Sequence, residues 1–386
     1  MLPKVAIVYL TYNTKDSIVD IPRCFESMTK LTYPMDRLEV ICVENPSAHG
    51  ASWPFIEEDW KPRGGKDFPV ISHIEKNERD VGYSGACNVG IRIAQEHGCD
   101  YAFLLNQDAD VDPDMITNAV KRAESDPKIG FVQSLVLLGQ EKDRVNSIGN
   151  QLQFLGYGYA GGYRWTRKRA ELELEEARAH NPDLEVPYYS GAAVLVRLSM
   201  VKELGPIYDT PFYMYHEDTD ASLRARLRGW KVVIEPTSIM YHYYAFSKSI
   251  KKFYWIERNR YMVWLSMFKW RTLILMMIPG IFVEIAAFLF SIRSGWWKER
   301  LRAFAFFFRP STWKWIMKRR RDIQGTRVIS DRALARWLEG RVLFQEEAQE
   351  ARSAVGATGV NGNFVTKFAN PALEIIWNAV YALIRW

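Results

Sequence analysis

The sequence predicts an α/β domain built on a mostly parallel β-sheet, followed by a helical region of different composition. Three observations predict this organisation. Apolar runs alternate with amphipathic stretches through the first part of the chain, polar residues follow the apolar runs, and the chain becomes aromatic and basic after Lys251. We therefore expect one domain over residues 1–250, basic amphipathic helices over 251–330, and helices with a linker over 331–386.

The elements of the first domain follow one another as strand and helix. Short β-branched and aromatic runs indicate strands, and apolar residues at helical spacing indicate the segments between them. This alternation is typical of βαβ units, whose sheet is covered by helices on both faces. The predicted strands are 5–10, 38–43, 70–74, 101–105, 131–138, 192–197, 231–235 and 238–241, and the predicted helices are 16–29, 83–97, 167–179 and 218–229.

Composition places the chain among globular proteins of a reducing compartment. It has 386 residues, of which 48% are hydrophobic and 25% charged, with a net charge of +6. The four cysteines have no CxxC spacing, so we expect small buried thiols and no zinc site. The first residues predict a strand and lack the features of a signal peptide, so we expect the first domain on the cytoplasmic side of the cell membrane.

The region after residue 251 has the composition of a membrane-associated segment. Residues 273–290 are almost entirely apolar, interrupted by Pro279, Gly280 and Glu284, and residues 293–327 carry eleven Lys and Arg against two acidic residues. Cationic helices with interfacial aromatics are typical of proteins lying on an anionic membrane. We expect a broken, re-entrant or in-plane helix pair, peripheral or monotopic. Nucleic-acid binding and packing on the protein's own acidic patches are the alternatives.

Two further segments complete the C-terminal region. Residues 371–386 form a second amphipathic pattern, which predicts a terminal helix. Residues 348–369 are small and polar, which predicts a linker or a disordered segment.

A cluster of acidic residues, here called the acidic cluster of residues 108–114, follows the predicted strand 101–105. It contains Asp108, Asp110, Asp112 and Asp114 within seven positions. Asp112 and Asp114 suit the start of the next helix, with Pro113 at its first position. Asp108 and Asp110 precede that turn, and hard carboxylate oxygens there suit Mg²⁺ or Mn²⁺ shared with phosphate oxygens. An acidic turn exposed to water is the alternative.

Seven short motifs, in order, carry a resemblance to a known family. They are VAIVYLTYN, VENPS, NERDVGYSGACNVGI, LLNQDADV, SGAAVLVRLSMVKELG and YMYHEDTDASLRARLRGW, followed by His242 with Arg258-Asn259. With these motifs the chain resembles the inverting glycosyltransferases of family two, with the GT-A fold, and in particular their rhamnosyltransferase-like branch. The resemblance spans roughly residues 5–260 and does not extend to the C-terminal third.

The resemblance implies a set of donor-binding residues at the strand ends. Thr11, Tyr12 and Asn13 would line the base and ribose pocket. Glu44 stands where the family usually has Asp, and would accept hydrogen bonds from base or ribose. The turn and helix start beside the nucleotide would consist of Asn77, Gly82, Gly85 and Asn88, and tight-turn glycines are the alternative for that segment.

The resemblance also implies the reacting groups. Asp110 would bind Mn²⁺ or Mg²⁺ directly and His242 would complete the metal site, while Asp108 would contact the ribose or the metal's waters. Arg258 would hold the diphosphate. Asp218 would act as the general base, in a single inverting step. Each has a structural alternative: a satisfied core histidine for His242, an exposed basic helix face for Arg258, and helix capping, which lowers a carboxylate pKa, for the acidic cluster Glu217, Asp218 and Asp220.

Together these expectations describe a metal-dependent glycosyltransferase. It would move a sugar from a UDP-, dTDP- or GDP-sugar to a lipid-linked or nascent glycan at the cytoplasmic membrane face. A sugar nucleotidyltransferase would need a glycine-rich loop after the first strand, where the chain reads LTYNTKDS. An inactive glycan-binding scaffold predicts loss of Asp110 or Asp218, and both are present. No base-reading module accompanies the basic region, so we expect no nucleic-acid partner.

Overall fold

The computed structural model describes residues 2–14, 17–243, 251–342 and 369–386. The chain divides into two compact units. The sheet unit contains Met1–Asn150, Ala160–Ala225 and Trp230–Phe246, and the helical unit contains Gln151–Tyr159, Arg226–Gly229 and Ser247–Trp386. The domain boundary predicted at residue 250 lies in segment 244–250, outside the described residues. The described parts of 331–386 belong to the helical unit.

The sheet unit contains the alternating elements that the sequence predicts, with several strands longer than expected. Its strands are β1 (Val5–Tyr12), β2 (Leu38–Asn45), β3 (Val70–Lys76), β4 (Tyr101–Asn106), β5 (Ala109–Val111), β6 (Ile129–Leu138), β7 (Val145–Ser147), β10 (Ala193–Arg197) and β11 (Lys231–His242). The short strands β8 (Asn150–Gln153) and β9 (Gly158–Ala160) come between β7 and β10 in the chain and belong almost entirely to the helical unit. Its helices are α1 (Ser17–Met28), α2 (Gly82–Glu96), α3 (Met115–Glu124), α4 (Arg167–Ala177), α5 (Leu198–Leu204) and α6 (Glu217–Leu227).

The large sheet is mixed, not mostly parallel. Its order is β3-β2-β1-β4-β10-β6-β11-β5, with β7 beside β6. The pairs β2–β3, β1–β2, β1–β4 and β6–β11 are parallel, whereas β4–β10, β6–β10, β5–β11 and β6–β7 are antiparallel. Parallel pairing was predicted from the βαβ pattern of the first 110 residues, and that pattern does not extend to β10.

Two apolar layers cover the sheet. Alternate residues of β1 face opposite sides, so that Ile7 packs in the layer with α1 and α3, and Val8 packs in the layer with α2. Gly90 of α2 allows close packing, because a Cβ atom there would lie 2.2 Å from a methyl group of Val8. The sheet is therefore held rigidly between helices, and its strand ends are fixed in position. All four cysteines are buried and free, as predicted.

The acidic cluster of residues 108–114 differs from the prediction in one respect. Helix α3 begins at Met115, so Pro113 precedes the helix and is not its first residue. The Asp112 side chain accepts a hydrogen bond from the Asp114 N–H at 3.1 Å. Asp114 occupies the N-cap position without a side-chain cap bond. Because the Asp112 carboxylate closes the turn, the proline lies within that turn.

The helical unit contains α7 (Lys252–Met267), α8 (Trp270–Arg293), α9 (Trp297–Phe306), α10 (Pro310–Thr326), α11 (Asp331–Ala335) and α12 (Asn370–Leu383). A three-stranded sheet of order β12-β8-β9 accompanies them, with β12 at Leu338–Glu339. The terminal helix predicted over 371–386 is confirmed as α12, whereas the linker predicted over 348–369 lies almost entirely outside the described residues.

The apolar stretch 273–290 forms one continuous helix, not the expected broken pair. Pro279 lies within α8, where it removes one backbone hydrogen bond. The remaining bonds of this 24-residue helix keep it intact. By length and composition α8 could cross a membrane, and 17% of its most apolar window is buried.

The basic segment 293–327 is only partly a surface feature. Arg300, Arg319 and Arg320 are buried, at 0%, 7% and 5% exposure. Arg320 donates to the carbonyl oxygen of Phe268 at 2.8 Å, at the end of α7. These three cations stabilise the fold of the helical unit, so the charge available at the surface is smaller than the sequence suggests.

Candidate active site

The predicted site residues of the sheet unit come from neighbouring strand ends. Thr11 lies opposite Glu44 in the β1–β2 register, and Leu10 lies opposite Asn106 at the end of β4. Strand β10 runs antiparallel to β4, so its first residue, Ala193, lies opposite Leu105 at the same edge. The long strand β11 ends at His242, opposite Ala109 in β5.

The end of β1 is fixed by its neighbours. The Gln107 amide clamps Tyr12, accepting from its N–H at 2.8 Å and donating to its carbonyl at 3.0 Å. The Tyr12 ring is 46% exposed. The Asn13 amide donates to the His49 carbonyl at 3.2 Å. An exposed ring on a fixed backbone suits stacking against a base, as the resemblance implies for this position.

Glu44 is committed to contacts within the sheet unit. Its carboxylate accepts hydrogen bonds from the Ser52 N–H at 2.9 Å and from the Thr11 hydroxyl at 3.3 Å. Burial raises the pKa of Glu44, and these hydrogen bonds offset part of the increase. Thr11 and Glu44 are 2% and 5% exposed. Both residues therefore shape the floor of the site and offer little surface to a ligand.

Asn77 and Gly82 are brought together by Asn45. The Asn45 oxygen accepts from the Asn77 amide at 3.0 Å, and the Asn45 amide donates to the Gly82 carbonyl at 3.2 Å. Gly82 has φ +69°, and a Cβ atom there would lie 2.4 Å from the Tyr213 carbonyl oxygen. Only glycine fits this position, at the start of α2.

Asn88 supports the fold at a distance from the strand ends. Its amide donates to the Tyr208 carbonyl at 2.6 Å, and its oxygen accepts from the Tyr208 N–H at 3.1 Å. Both ends of the side chain are therefore used to hold the segment that leads to residues 213–218. The donor-binding role predicted for Asn88 stays a prediction.

Asp108 and His242 form the closest pair of candidate metal ligands. Asp108 Oδ1 and His242 Nε2 lie 3.1 Å apart, and the other ring nitrogen lies 3.5 Å from the Asn146 oxygen. Burial acts to raise the pKa of Asp108, but the adjacent imidazole outweighs it and the pKa is lowered. Asp108 is therefore a carboxylate at neutral pH.

Asp110 is held by two other residues. Arg23 Nε lies 3.0 Å from Asp110 Oδ1, and the Tyr243 hydroxyl donates to Oδ2 at 2.8 Å. The Arg23 guanidinium also stacks on the Tyr243 ring, 3.4 Å from its centroid. His242 thus faces Asp108, whereas the sequence prediction grouped it with Asp110.

The donor set suits a hard divalent ion that also binds substrate. Within the described residues no group of three His, Cys, Asp or Glu side chains is arranged to hold a metal. Asp108 and His242 supply one carboxylate and one imidazole. Mn²⁺ accepts both ligand types, and such ions commonly bind through few protein ligands plus substrate phosphates. The residues present fit an ion whose remaining ligands come from a diphosphate.

Asp218 lies in the first turn of α6 and is connected to the same sheet edge. Its Oδ1 accepts from the Thr219 N–H at 2.7 Å, and the Gly191 backbone also hydrogen-bonds the carboxylate. The neighbouring Ala192 carbonyl accepts from the Asn106 N–H at 3.1 Å, two residues before Asp108. The candidate base and the Asp108–His242 pair therefore lie on one edge of the sheet.

The pKa of Asp218 is opposite to the sequence expectation. A helix N-terminus was expected to lower it, but burial raises it to about 6, and hydrogen bonds from the backbone and from Thr219 offset only part of the effect. Asp218 remains partly exposed. A partly accessible carboxylate with a pKa near 6 suits proton abstraction near neutral pH.

The residues around Asp218 include an unpaired buried carboxylate oxygen and a strained backbone, both of which are energetically unfavourable. Glu217 is 7% exposed, one of its oxygens has no hydrogen-bond partner, and burial followed by the Asp218 charge raises its pKa well above normal. Tyr213, Tyr215 and His216 have φ of 64–65°, a left-handed conformation that non-glycine residues rarely adopt. Backbone strain of this kind typically marks functional sites. Asp220 instead pairs with Arg224 at 2.9 Å and is structural.

Arg258 belongs to the helical unit. It is 5% exposed, so the alternative of an exposed basic face is wrong. Its guanidinium donates to the Asn259 oxygen at 2.7 Å and lies 4.4 Å from the Trp255 ring centroid. Burial lowers its pKa. Its role in holding a diphosphate stays a prediction.

Three residues of this edge escaped sequence reasoning. Arg23 comes from α1, Gln107 lies between strands, and Gly191 acts through its backbone. The first two are common residue types in unremarkable contexts, and the third has no side chain. Gln107 lies inside the LLNQDADV motif and Gly191 inside the SGAAVLVRLSMVKELG motif, so membership of a motif was the only sequence signal, and Arg23 had none.

Comparison with known proteins identifies the family. The sequence model of the family described as Glycosyl transferase family 2 matches residues 6–205. This range is more than half of the 386 residues, and the chain belongs to that family.

Curated relatives are plant enzymes of greater length. Glucomannan 4-beta-mannosyltransferase 7 of Arabidopsis thaliana is 25% identical over 237 residues, which cover 59% of this chain and 37% of the relative. The probable glucomannan 4-beta-mannosyltransferase 4 of Oryza sativa subsp. japonica is 23% identical over 203 residues, covering 52% and 33%. The chain therefore spans about a third of the length of these relatives.

Two solved structures that align with this chain contain a nucleotide or nucleotide sugar and Mn²⁺. GalNAc-T7 with UDP, GalNAc and Mn²⁺ aligns at a TM-score of 0.51 and 16% identity, over 68% of this chain and 47% of that one. This likeness agrees with the predicted GT-A fold. The mannosyltransferase PcManGT from Pyrobaculum calidifontis, in complex with GDP-Man and Mn²⁺, aligns at a TM-score of 0.49 and 16% identity, over 100% of this chain and 89% of that one.

Proposed function

We propose that the protein is a metal-dependent inverting glycosyltransferase. It moves a sugar from a nucleoside-diphosphate sugar to a lipid-linked or nascent glycan at the cytoplasmic face of a membrane. One observation carries the proposal: a carboxylate with a pKa of about 6 lies at the sheet edge that also presents Asp108 and His242. Family membership and the GT-A fold support the same reaction class.

The reaction is a single displacement at the anomeric carbon. The acceptor hydroxyl oxygen forms a bond to that carbon, and Asp218 accepts the hydroxyl proton. The bond from the carbon to the diphosphate oxygen breaks from the opposite side, and the nucleoside diphosphate leaves with the electron pair. Attack from that side inverts the anomeric configuration.

Asp108 and His242 would hold Mn²⁺ or Mg²⁺ together with diphosphate oxygens of the donor. Asp110 is the further ligand predicted from the sequence, and Arg23 with Tyr243 fixes its carboxylate two residues along the chain. When bound, the ion stabilises negative charge on the leaving diphosphate. GalNAc-T7, whose fold is similar, was solved with Mn²⁺ and UDP.

The relatives, the motifs and one similar structure limit the choice of donor and acceptor to a few chemical classes. The curated relatives are named as glucomannan mannosyltransferases, which favours a glycan acceptor and a mannosyl donor. The rhamnosyltransferase-like motifs favour dTDP-rhamnose, and the nucleotide of GalNAc-T7 adds the UDP-sugars. The exposed Tyr12 ring stacks on the base, whichever it is.

Helix α8 supplies a membrane-facing surface. Six of its exposed apolar residues recur every three or four positions along one face. Glu284, beside that face, accepts a hydrogen bond from the Tyr261 hydroxyl at 2.6 Å and so connects α8 to α7. We infer that the exposed face of α8 contacts the acyl chains of the membrane. Exposed cations such as Arg271, Arg293 and Lys298 at its ends favour anionic lipids. The stripe consists of Ile274, Ile278, Ile281, Ile285, Leu289 and Ile292.

The test combines donor binding with metal removal. Thermal shift against UDP-, GDP- and dTDP-sugars with Mn²⁺ should identify one donor class that raises the melting temperature. Release of nucleoside diphosphate from that donor, with a glycan acceptor, should stop in EDTA and return with Mn²⁺ or Mg²⁺. A protein that binds no nucleotide sugar, or that turns over equally in EDTA, would contradict the proposal.

A further inference from the structure

An apolar pocket in the helical unit is separate from the sheet edge described above. It has a volume of about 480 Å³ and is lined by residues of α7, α9, α10 and the turn that joins α9 to α10. This volume lies within the range of small-molecule sites, about 300–1,000 Å³. The lining consists of Tyr261, Leu265, Phe304, Phe307, Phe308 and Trp313.

The polar groups of this lining are already used. The Tyr261 hydroxyl donates to Glu284 at 2.6 Å, and the Trp313 indole N–H donates to the Phe307 carbonyl at 2.7 Å. The other lining side chains carry only carbon and hydrogen. A sugar or a base in this pocket would lose its hydrogen bonds to water and gain none, which excludes both as ligands.

Two lining residues of the pocket are exposed, and each is followed in the chain by a cation. Phe308 is 86% exposed and is followed by Arg309, and Trp313 is 38% exposed and is followed by Lys314. Both cations are exposed. Contact between water and a phenyl ring exposed to this extent is unfavourable, and a hydrocarbon group of a ligand would remove that contact. The ligand that fits the pocket and these cations has a hydrocarbon chain and an anionic head.

We propose that this pocket binds the isoprenoid end of a lipid diphosphate acceptor, an assignment that rests on the proposed glycosyltransferase function. At about 30 Å³ per atom the size of a water molecule, the cavity of about 480 Å³ accommodates roughly 16 such atoms, or about three five-carbon units. In the proposed function the acyl chains of the bilayer would contact the α8 stripe, whereas a concave aromatic wall suits one branched chain that enters and leaves with each turnover. The diphosphate of that lipid would lie near Arg309 and Lys314, the cations that follow Phe308 and Trp313 in the chain.

The test measures binding of farnesyl diphosphate, a probe of three isoprene units, to the purified full chain. Inorganic diphosphate is the head-only control, and tetradecyl phosphate is the linear-chain control. Farnesyl diphosphate should bind at least about tenfold more tightly than inorganic diphosphate, because its chain is buried against aromatic rings. It should also bind more tightly than tetradecyl phosphate. Equal binding of farnesyl diphosphate and either control would overturn the assignment.

Three variants locate the binding. Leu265→Trp fills the pocket and Phe308→Ala removes the exposed ring, and each should weaken farnesyl diphosphate binding by about fivefold or more. Phe282→Ala changes another highly exposed phenylalanine, in α8, which is 74% exposed; it is the matched control and should change farnesyl diphosphate binding less than about twofold. Phe308 lies on the surface, so that variant tests the pocket even where Leu265→Trp fails to fold. Unchanged binding in Phe308→Ala contradicts the assignment.

The binding assay needs no donor sugar and no turnover. If farnesyl diphosphate binds as expected while no nucleotide sugar binds, the proposed function fails and the hydrocarbon site stands. If sugar transfer to a water-soluble acceptor proceeds while farnesyl diphosphate fails to bind, the pocket assignment fails and the proposed function stands.

Discussion

Each unit of the protein contains a pair of buried or partly buried carboxylates, and the two pairs have opposite surroundings. In the helical unit, Arg260 Nη2 lies 2.9 Å from Glu257, Arg260 Nη1 lies 2.9 Å from Glu284, and Arg300 contacts both acids. In the sheet unit, Glu217 and Asp218 form no ion pair with a lysine or arginine among the described residues, and burial raises both pKa values. The first pair is neutralised, and the second is not.

This difference separates a stabilising cluster from a reactive one. Two arginines and two glutamates cancel in charge, so the network fixes α7, α8 and α9 against one another. An uncompensated carboxylate pair costs stability, and strain at Tyr213, Tyr215 and His216 adds to the cost. Natural proteins keep such unfavourable groups where activity requires them. The contrast supports the proposal that catalysis takes place in the sheet unit.

The largest expected effect comes from removing the reactive carboxylate. Asp218→Asn should lower the transfer rate by about 10²–10⁴-fold, the usual contribution of a general base, while donor affinity is retained. Steady-state rates and donor titration of the variant measure both quantities. Asp112→Asn is the matched control, because Asp112 belongs to the acidic cluster of residues 108–114 but only closes a turn. This variant should keep its activity. A fully active Asp218→Asn removes the base assignment.

The second effect comes from breaking the neutralised cluster. Glu284→Gln leaves the buried Arg260 and Arg300 with one carboxylate fewer, and should lower the free energy of unfolding of the helical unit by about 3 kcal/mol. Chemical denaturation measures this change. The control Glu374→Gln breaks a surface pair with Arg341 and should cost less than about 1 kcal/mol. Equal losses in the two variants would show that the buried network is not stabilising.

The third effect concerns pH. Asp218 has a pKa of about 6, so the acid limb of the pH–rate profile should have its midpoint there, since protonation removes the base. Because the folded pKa is raised from 3.8, the charged form destabilises the native state above pH 6, and this cost vanishes below pH 4. Asp218→Asn should therefore be more stable than the natural chain at pH 7, by about 1–3 kcal/mol, and equal to it at pH 3.5. An acid limb near pH 4 would contradict the raised pKa.

Sequence reasoning succeeded where local pattern determines structure. Alternating apolar runs predicted β1, β2 and β4, and the polar residues after them predicted the edge with Thr11 and Asp108. The antiparallel insertion of β10 was not predictable, because pairing partners are set by tertiary packing. The same limit hid Gly191, which the antiparallel strand brings to Asp218.

Composition was least reliable in the C-terminal region. It cannot distinguish a surface cation from a buried one, so Arg300 and Arg320 were assigned to a membrane face although they stabilise the helical unit. Pro279 suggested a broken helix, but one missing hydrogen bond does not interrupt a helix of 24 residues. The grouping of His242 with Asp108 depends on the β5–β11 register, which no local motif specifies.

The most direct test of the account is a crystal structure with Mn²⁺ and a bound nucleotide sugar, with the ion located by its anomalous scattering. We predict a peak in contact with Asp108 and His242, and an anomeric carbon whose free side faces the Asp218 carboxylate. A peak elsewhere in the chain, or a sugar whose reacting face is turned away from Asp218, would contradict it.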